Sequence, residues 1–177
     1  DNGFYKYCPE GSKNYVFVKV TNNLIDHTDE KEIKDFILNH LIEIDDLSIY
    51  NYFADKTRFF EERFLTLLST IDIYFIEDNK ETSYLYFRNC AVKITKKEVV
   101  MIDYIDLGGY VWKDHVIDRN FTLCDANTDY KKFISNICKG EEDRVNSMES
   151  TIGFMMHGHK NLSYCPAVIL NDEVISD

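Results

Sequence analysis

Between Ser83 and Tyr104 the chain passes through three short β-forming runs, Tyr84-Leu85-Tyr86-Phe87, Ala91-Val92-Lys93-Ile94 and Val99-Val100-Met101-Ile102. The breaks around them are brief and polar: Asp78-Asn79-Lys80-Glu81 precedes the first, and Lys96-Lys97-Glu98 separates the last two. Such breaks have turn composition, and strands joined by tight turns pair antiparallel, so the expectation is a β-meander. Its runs alternate only in part, which points to a sheet covered by helices on one face.

The flanks are of different character. Tyr15-Val16-Phe17-Val18-Lys19-Val20 reads as a strand that ends at the polar turn Thr21-Asn22-Asn23. Thr28-Asp29-Glu30-Lys31 then offers a hydroxyl cap and acidic residues ahead of Ile33, Phe36, Ile37, His40, Leu41 and Ile44, whose spacing makes one apolar helix face. From Leu47 to about Leu68 no Gly or Pro interrupts a second helical pattern, after which Ile71-Asp72-Ile73-Tyr74-Phe75-Ile76 returns to β character. Gly108-Gly109 allows a bend, and Tyr110-Val111-Trp112 re-enters apolar structure. Two helices are expected further on. One carries Tyr130, Phe133, Ile134 and Ile137; the other carries Val145, Met148, Ile152, Phe154, Met155 and Met156 over so much of its surface that it is either deeply buried or faces a partner. Pro166 opens Ala167-Val168-Ile169-Leu170, a short apolar run bounded by Asn171-Asp172-Glu173, which reads as a buried strand of a parallel sheet. With only Val174-Ile175-Ser176-Asp177 beyond it, that strand lacks neighbours in this sequence, and the expectation is that it belongs to a longer protein.

The whole reads as an α+β chain in four stretches. Residues 1–70 hold the N-terminal strand and helical region, 71–127 the antiparallel sheet, 128–165 the closing helices, and 166–177 the start of a truncated core.

Composition narrows the function classes. With 45% hydrophobic residues and few Gly and Pro, a chain of 177 residues buries a real core and is not a disordered tail. No apolar run is long enough to cross a bilayer and no signal peptide opens the chain, so a soluble cytoplasmic setting without membrane contact is expected. Five widely spaced cysteines, Cys8, Cys90, Cys124, Cys138 and Cys165, contain no CxxC pair and suit reduced thiols. A formal charge of −11 repels phosphate, which argues against a general nucleic-acid binder but leaves room for a local basic face. Lysines gather at Lys93, Lys96 and Lys97 and again at Lys131 and Lys132, with Lys113 and Arg119 standing singly. A solvated surface of alternating charge is the plainer reading of each.

No GxxxxGK[ST] loop is present, which excludes an ATPase built on this stretch alone. His157-Gly158-His159 lacks the i, i+4 spacing that sets two ligands on one helix face, even with Asp172 or Glu173 as a third ligand. It reads instead as a helix end where the imidazoles and Lys160 meet the negative end of the dipole, and no metal site is expected. Asp103, Asp106 and His115 suggest a metal-dependent nuclease, but acids at strand ends are the commoner explanation. No catalytic residue is assigned.

The order of several phrases does carry a resemblance. Tyr86-Phe87-Arg88-Asn89-Cys90-Ala91-Val92-Lys93-Ile94, then Ile102-Asp103-Tyr104-Ile105-Asp106-Leu107 and Gly109-Tyr110-Val111-Trp112-Lys113, resemble the segment before the helicase core in primase-helicases of phages and integrative elements. These proteins are similar to the poxvirus-type primase-helicases of helicase superfamily 3. Cys90 and Ala91 stand where that family often has glycine. Ser150-Thr151-Ile152-Gly153-Phe154-Met155-Met156-His157-Gly158-His159-Lys160, leading into Pro166 to Glu173, resembles the helix and first strand that precede the family's phosphate loop.

The resemblance implies a non-catalytic accessory domain in DNA replication by a mobile element, which positions or oligomerises a downstream ATPase core. It implies homo-oligomerisation through the parent protein, no cofactor in this stretch, and ATP and Mg for the core. Lys93, Lys96, Lys97, Lys113 and Arg119 are the candidates for contact with DNA, and Met148, Ile152, Met155 and Met156 for contact with a subunit or the core. The alternative is an acidic protein-interaction module with no nucleic-acid role.

Overall fold

The computed structural model describes residues 3–124, 128–159, 161, 163–164 and 166–170. Among these residues are the strands β1 (Phe4–Tyr7), β2 (Val16–Thr21), β3 (Leu24–His27), β4 (Thr82–Tyr86), β5 (Ala91–Thr95), β6 (Val99–Ile102) and β7 (Val111–Trp112). Its α-helices are α1 (Glu30–Glu43), α2 (Leu47–Asp55), α3 (Glu62–Leu65), α4 (Asp129–Ile137) and α5 (Glu142–Met156). The fold is α+β, with antiparallel and parallel pairing together in one sheet. The chain divides into two compact units, residues 1–76 with 102–118, and residues 77–101 with 119–177.

The first unit is built on a four-stranded sheet in the order β1-β2-β3-β7. Asn22 and Asn23 both adopt left-handed backbone, at φ 48° and 64°, which is the geometry a two-residue hairpin needs and which Asn tolerates better than most residues. The expected polar turn therefore joins two strands, and Leu24–His27 is a strand that the sequence pattern did not reveal. Asn23 does more than turn the chain, because its Nδ2 donates to the carbonyls of Tyr104, Ile105 and Leu107. That anchor brings Val111 beside Leu24 in parallel register. Val18 and Ile25 are fully buried in this sheet.

Helix α1 forms as expected, with its cap one residue later than the hydroxyl. Asp29 Oδ1 accepts from Glu32 N at 2.8 Å, and Thr28 Oγ1 donates to the Glu32 carboxylate at 2.9 Å. Ile33 joins Phe4 and Leu65 in a core that Phe17, Phe36, Ile37 and Leu68 complete. His40 is exposed and stacks on Phe36 at 6.3 Å instead of sitting in the core.

The helical stretch from Leu47 to Leu68 is broken twice. Lys56 leaves helical geometry at φ −123°, ψ 55°, a 3₁₀ turn spans Thr57–Phe60, and Glu61 is extended before α3. Aromatic packing accounts for the breaks. In an unbroken helix Phe53 and Phe60 would lie about 10 Å apart along the axis, whereas their ring centroids are 5.5 Å apart. Phe53–Phe59 and Phe59–Phe64 ring contacts extend the same cluster.

Residues 71–76 are not a strand. Their neighbourhood makes two isolated parallel bridges, Lys6 with Thr70 and Phe75 with Tyr110, so the backbone is satisfied by two partners in succession and no ladder develops. The second bridge explains Gly109: a Cβ there would stand 2.7 Å from the Tyr74 carbonyl oxygen, so close approach fixes the residue.

The second unit holds the sheet β4-β5-β6 in chain order, with β4 and β5 antiparallel. Phe87, Cys90 and Val92 form its core with Leu85, Ile94 and Phe121 packed against them. Val99, Val100 and Met101 are all exposed, so no helix among the described residues covers the third strand. Helix α4 is capped by Thr128, whose hydroxyl accepts from Lys131 N, and it is followed by the left-handed pair Lys139 and Gly140 before α5. Ile134 and Cys138 are buried, whereas Tyr130, Phe133 and Ile137 on the adjoining part of the same apolar arc are exposed. Helix α5 buries no residue. Residues 166–170 form no strand, and Val168, Ile169 and Leu170 are exposed, contrary to the buried strand expected there. Lys160, Cys165 and Asn171 to Asp177 lie outside the described residues.

Among the described residues no helix is long and apolar enough to cross a membrane.

Candidate nucleic-acid interface

The β4–β5 hairpin arranges its side chains by simple alternation. Register pairs Ser83 with Ile94 and Leu85 with Val92, which sends those four to the core side. Tyr84 opposite Lys93, and Tyr86 opposite Ala91, consequently share the other face. The Tyr84 and Tyr86 rings are nearly parallel, 5° between planes with centroids 6.4 Å apart, and both residues are half-buried.

Asp78 holds the start of this hairpin. Its carboxylate accepts from Ser83 Oγ at 2.6 Å, from Tyr84 N at 2.8 Å and from Gly158 N at 2.7 Å. A Cβ at Gly158 would stand 3.0 Å from the carboxylate, a tight contact. The segment after α5 is thereby tied to the sheet, and His157 Nδ1 accepts from His159 N at 3.2 Å. At the other end, Phe87-Arg88-Asn89-Cys90 is the turn between β4 and β5, closed by Phe87 N donating to Cys90 O at 2.9 Å. Asn89 clamps Phe121 at two points: its Nδ2 donates to Phe121 O, and its Oδ1 accepts from Phe121 N. The Phe121 ring then packs on Phe87 at 5.1 Å. The phrase that carries the family resemblance is thus a hairpin turn with its own side-chain clamp.

Of the five basic candidates, the structure places four in the second unit. Lys93 is on β5, Lys96 and Lys97 occupy the turn that follows it, and Arg119 sits beside the β4–β5 turn, where its carbonyl accepts from Arg88 N at 3.0 Å. Among the described residues none of the three lysines makes an ion pair, and Lys96 and Lys97 are exposed. Lys113 belongs to the first unit and is ion-paired with Asp26. The hydrogen bond that Lys113 donates to the Asp26 carboxylate, helped by the charge of Asp26, raises the Lys113 pKa above its ordinary value.

The four apolar candidates do share one side of α5. Met148 and Ile152 are half-buried and Met155 and Met156 exposed, with Val145 on the same stripe. The acids and histidines do not assemble: among the described residues no group of three or more His, Cys, Asp or Glu is placed to hold a metal ion. His157 and His159 have ring centroids 6.1 Å apart at 88°, and Asp172 and Glu173 lie outside the described residues. Sequence reasoning did not single out Tyr84, Tyr86 or Asp78. The aromatic pair was visible as a period of two within Ser83-Tyr84-Leu85-Tyr86, whereas the three contacts of Asp78 depend on tertiary structure.

No family model matches the chain, and no curated protein or solved structure matches it.

Proposed function

We propose that this chain is a non-catalytic accessory region of a mobile-element DNA primase-helicase, which positions or oligomerises a downstream ATPase and contacts DNA. The observation that carries the reading is the set Lys93, Lys96 and Lys97, three cations without acidic partners among the described residues of a chain with formal charge −11. Cations kept unpaired in so acidic a protein suit a polyanion. The order of the resemblance phrases along the chain supports the same reading. In it the β4-β5-β6 sheet is an antiparallel meander, the stripe Met148, Ile152, Met155 and Met156 meets a neighbouring subunit or the core, and Ala167 to Leu170 opens the core sheet and pairs with downstream strands.

The test is to read the parent gene through the codons after Asp177 and assay the extended protein for DNA-stimulated ATP hydrolysis. A GxxxxGK[ST] motif following closely, with such activity that falls on charge reversal of Lys93, Lys96 and Lys97, is the expected outcome. A stop codon or unrelated sequence overturns it.

The exposed apolar part of α4, formed by Tyr130, Phe133 and Ile137, favours a second reading: an acidic protein-interaction module. That reading requires the absence of salt-sensitive DNA binding.

A further inference from the structure

Large apolar side chains exposed one at a time are ordinary on a folded surface, but four within eight residues are not. Ile42, Ile44, Leu47 and Ile49, at the corner where α1 passes into α2, are each between 44% and 55% exposed. We infer that this corner docks a cationic amphipathic segment of another protein. The inference goes beyond the DNA contact proposed above, and neither depends on the other.

The exposure belongs to an ordered corner and not to a frayed helix end. Ile44 N donates to His40 O at 3.1 Å, Asp45 N to Ile42 O at 3.1 Å and Asp46 N to Leu41 O at 2.9 Å. With Asp45 in left-handed backbone at φ 57°, these bonds make a Schellman ending for α1. Asp46 then caps α2, its Oδ1 accepting from Ile49 N at 3.1 Å. Asp45 alone separates the C-cap of the first helix, Ile44, from the N-cap of the second. Backbone held in this way has little freedom left to lose when a partner covers its apolar side chains.

Charge selects the occupant. Residues 40–55 carry Glu43, Asp45, Asp46 and Asp55 and no Lys or Arg. Among the described residues Asp45, Asp46 and Asp55 make no ion pair, and Glu43 has His40 at 3.8 Å, which is charged only when protonated. Glu43 is also the last residue of α1, at the negative end of the helix dipole, where an acid is unfavourable and a bound cation would relieve it. The same four charges repel a second copy of the corner, an anionic lipid surface and nucleic acid. A basic segment whose apolar side chains cover Ile42, Ile44, Leu47 and Ile49 satisfies both the charge and the exposed surface.

The experiment uses the full chain with a fluorescein-labelled helical peptide of leucine and lysine, followed by fluorescence anisotropy. Ile42→Ser and Leu47→Ser each weaken binding about tenfold, as expected for a half-exposed side chain that becomes covered. Glu43→Gln combined with Asp45→Asn weakens it about fivefold, and Asn keeps the left-handed backbone at position 45. Glu142→Gln combined with Asp143→Asn removes the same charge from exposed positions on α5 and changes binding less than about twofold. A benzophenone carried by the peptide, photocrosslinked to the unaltered chain and mapped by mass spectrometry, forms its adducts within residues 40–55. That mapping decides the matter even if the Ser variants fold poorly.

Adducts confined to other residues overturn the inference. Equal weakening by the two charge-removing pairs also overturns it, since that is the general attraction of a cation to an acidic chain, and so do Ser variants that fold and bind unchanged. Self-association in ultracentrifugation, or binding to phosphatidylcholine vesicles, that the Ser variants abolish while peptide binding is absent gives the corner to a second copy or to a lipid surface and overturns it as well. None of these outcomes touches salt-sensitive DNA affinity through Lys93, Lys96 and Lys97, so the two readings fail separately.

Discussion

The two sheets treat the same residue type in opposite ways. In and beside the four-stranded sheet the lysines are occupied: Lys19 lies over the rings of Phe4 and Phe36 at 5.3 and 5.1 Å, Lys6 lies over Tyr15 at 5.9 Å, and Lys113, just after β7, is paired with Asp26. In the three-stranded sheet Lys93, Lys96 and Lys97 have no ion pair among the described residues and no ring contact. The first set supports the packing of its own unit, and the second makes no such contact among the described residues. A count of basic residues cannot separate these roles, because the difference lies in what each side chain touches.

Each unit carries its own reporter, which makes the comparison open to measurement. Trp112 is the one tryptophan of the sequence and lies in the first unit, so its fluorescence follows that unit. Cys90 and Cys138 are buried in the second, so their reactivity to a thiol reagent follows its opening. The largest effect is expected from Ile33→Ala. Ile33 is 1% exposed, and its truncation destabilises the first unit by about 3 kcal/mol, read as an earlier thermal transition of the Trp112 signal. Asp78→Ala removes the acceptor of three hydrogen bonds and leaves the buried Ser83 hydroxyl without that partner. A loss of about 2 kcal/mol is expected, seen as faster labelling of Cys90 and faster hydrogen exchange at Tyr84 and Gly158. A pair of substitutions tests the comparison itself. Lys19→Ala costs about 1 kcal/mol because ring contacts are lost, while Lys97→Ala stays within about 0.5 kcal/mol. Equal costs would erase the distinction between the sheets.

The smallest effect belongs to the Lys113–Asp26 pair. Because folding raises the Lys113 pKa, the pair adds stability below the ordinary lysine pKa, and this contribution is lost as pH climbs through the raised value. The side chains are 61% and 41% exposed, so solvent screening limits the contribution to a few tenths of a kcal/mol, about 0.3. Asp26→Asn should return Lys113 toward its ordinary titration, followed by NMR at the lysine side chain, and barely move the melt at neutral pH.

What the sequence revealed follows the range of the interactions involved. The apolar spacing of α1, the Asn22–Asn23 turn and the three runs from Tyr84 to Ile102 are set by neighbours a few residues apart, and each was legible. The breaks at Lys56 and Glu61 were not, because aromatic rings packed across them override the local helical pattern. β1 and β3 were not singled out, and the β3–β7 pairing joins residues far apart in the sequence. The candidate interface divides along the same line. Lys93, Lys96 and Lys97 could be grouped by sequence proximity, whereas the partner of Lys113 is 87 positions away.

The chain passes from one unit to the other after Ile76, Met101 and Asp118. A nascent polypeptide leaving the ribosome thus cannot finish its first unit when Ile76 has emerged, because the strand that pairs with Leu24 and Ile25 is still to be synthesised. The β4–β5 hairpin needs only local closure and is ready sooner. Synthesis order and completion order should therefore differ, and fragments that end before Val111 should expose the β3 edge on which two chains can associate.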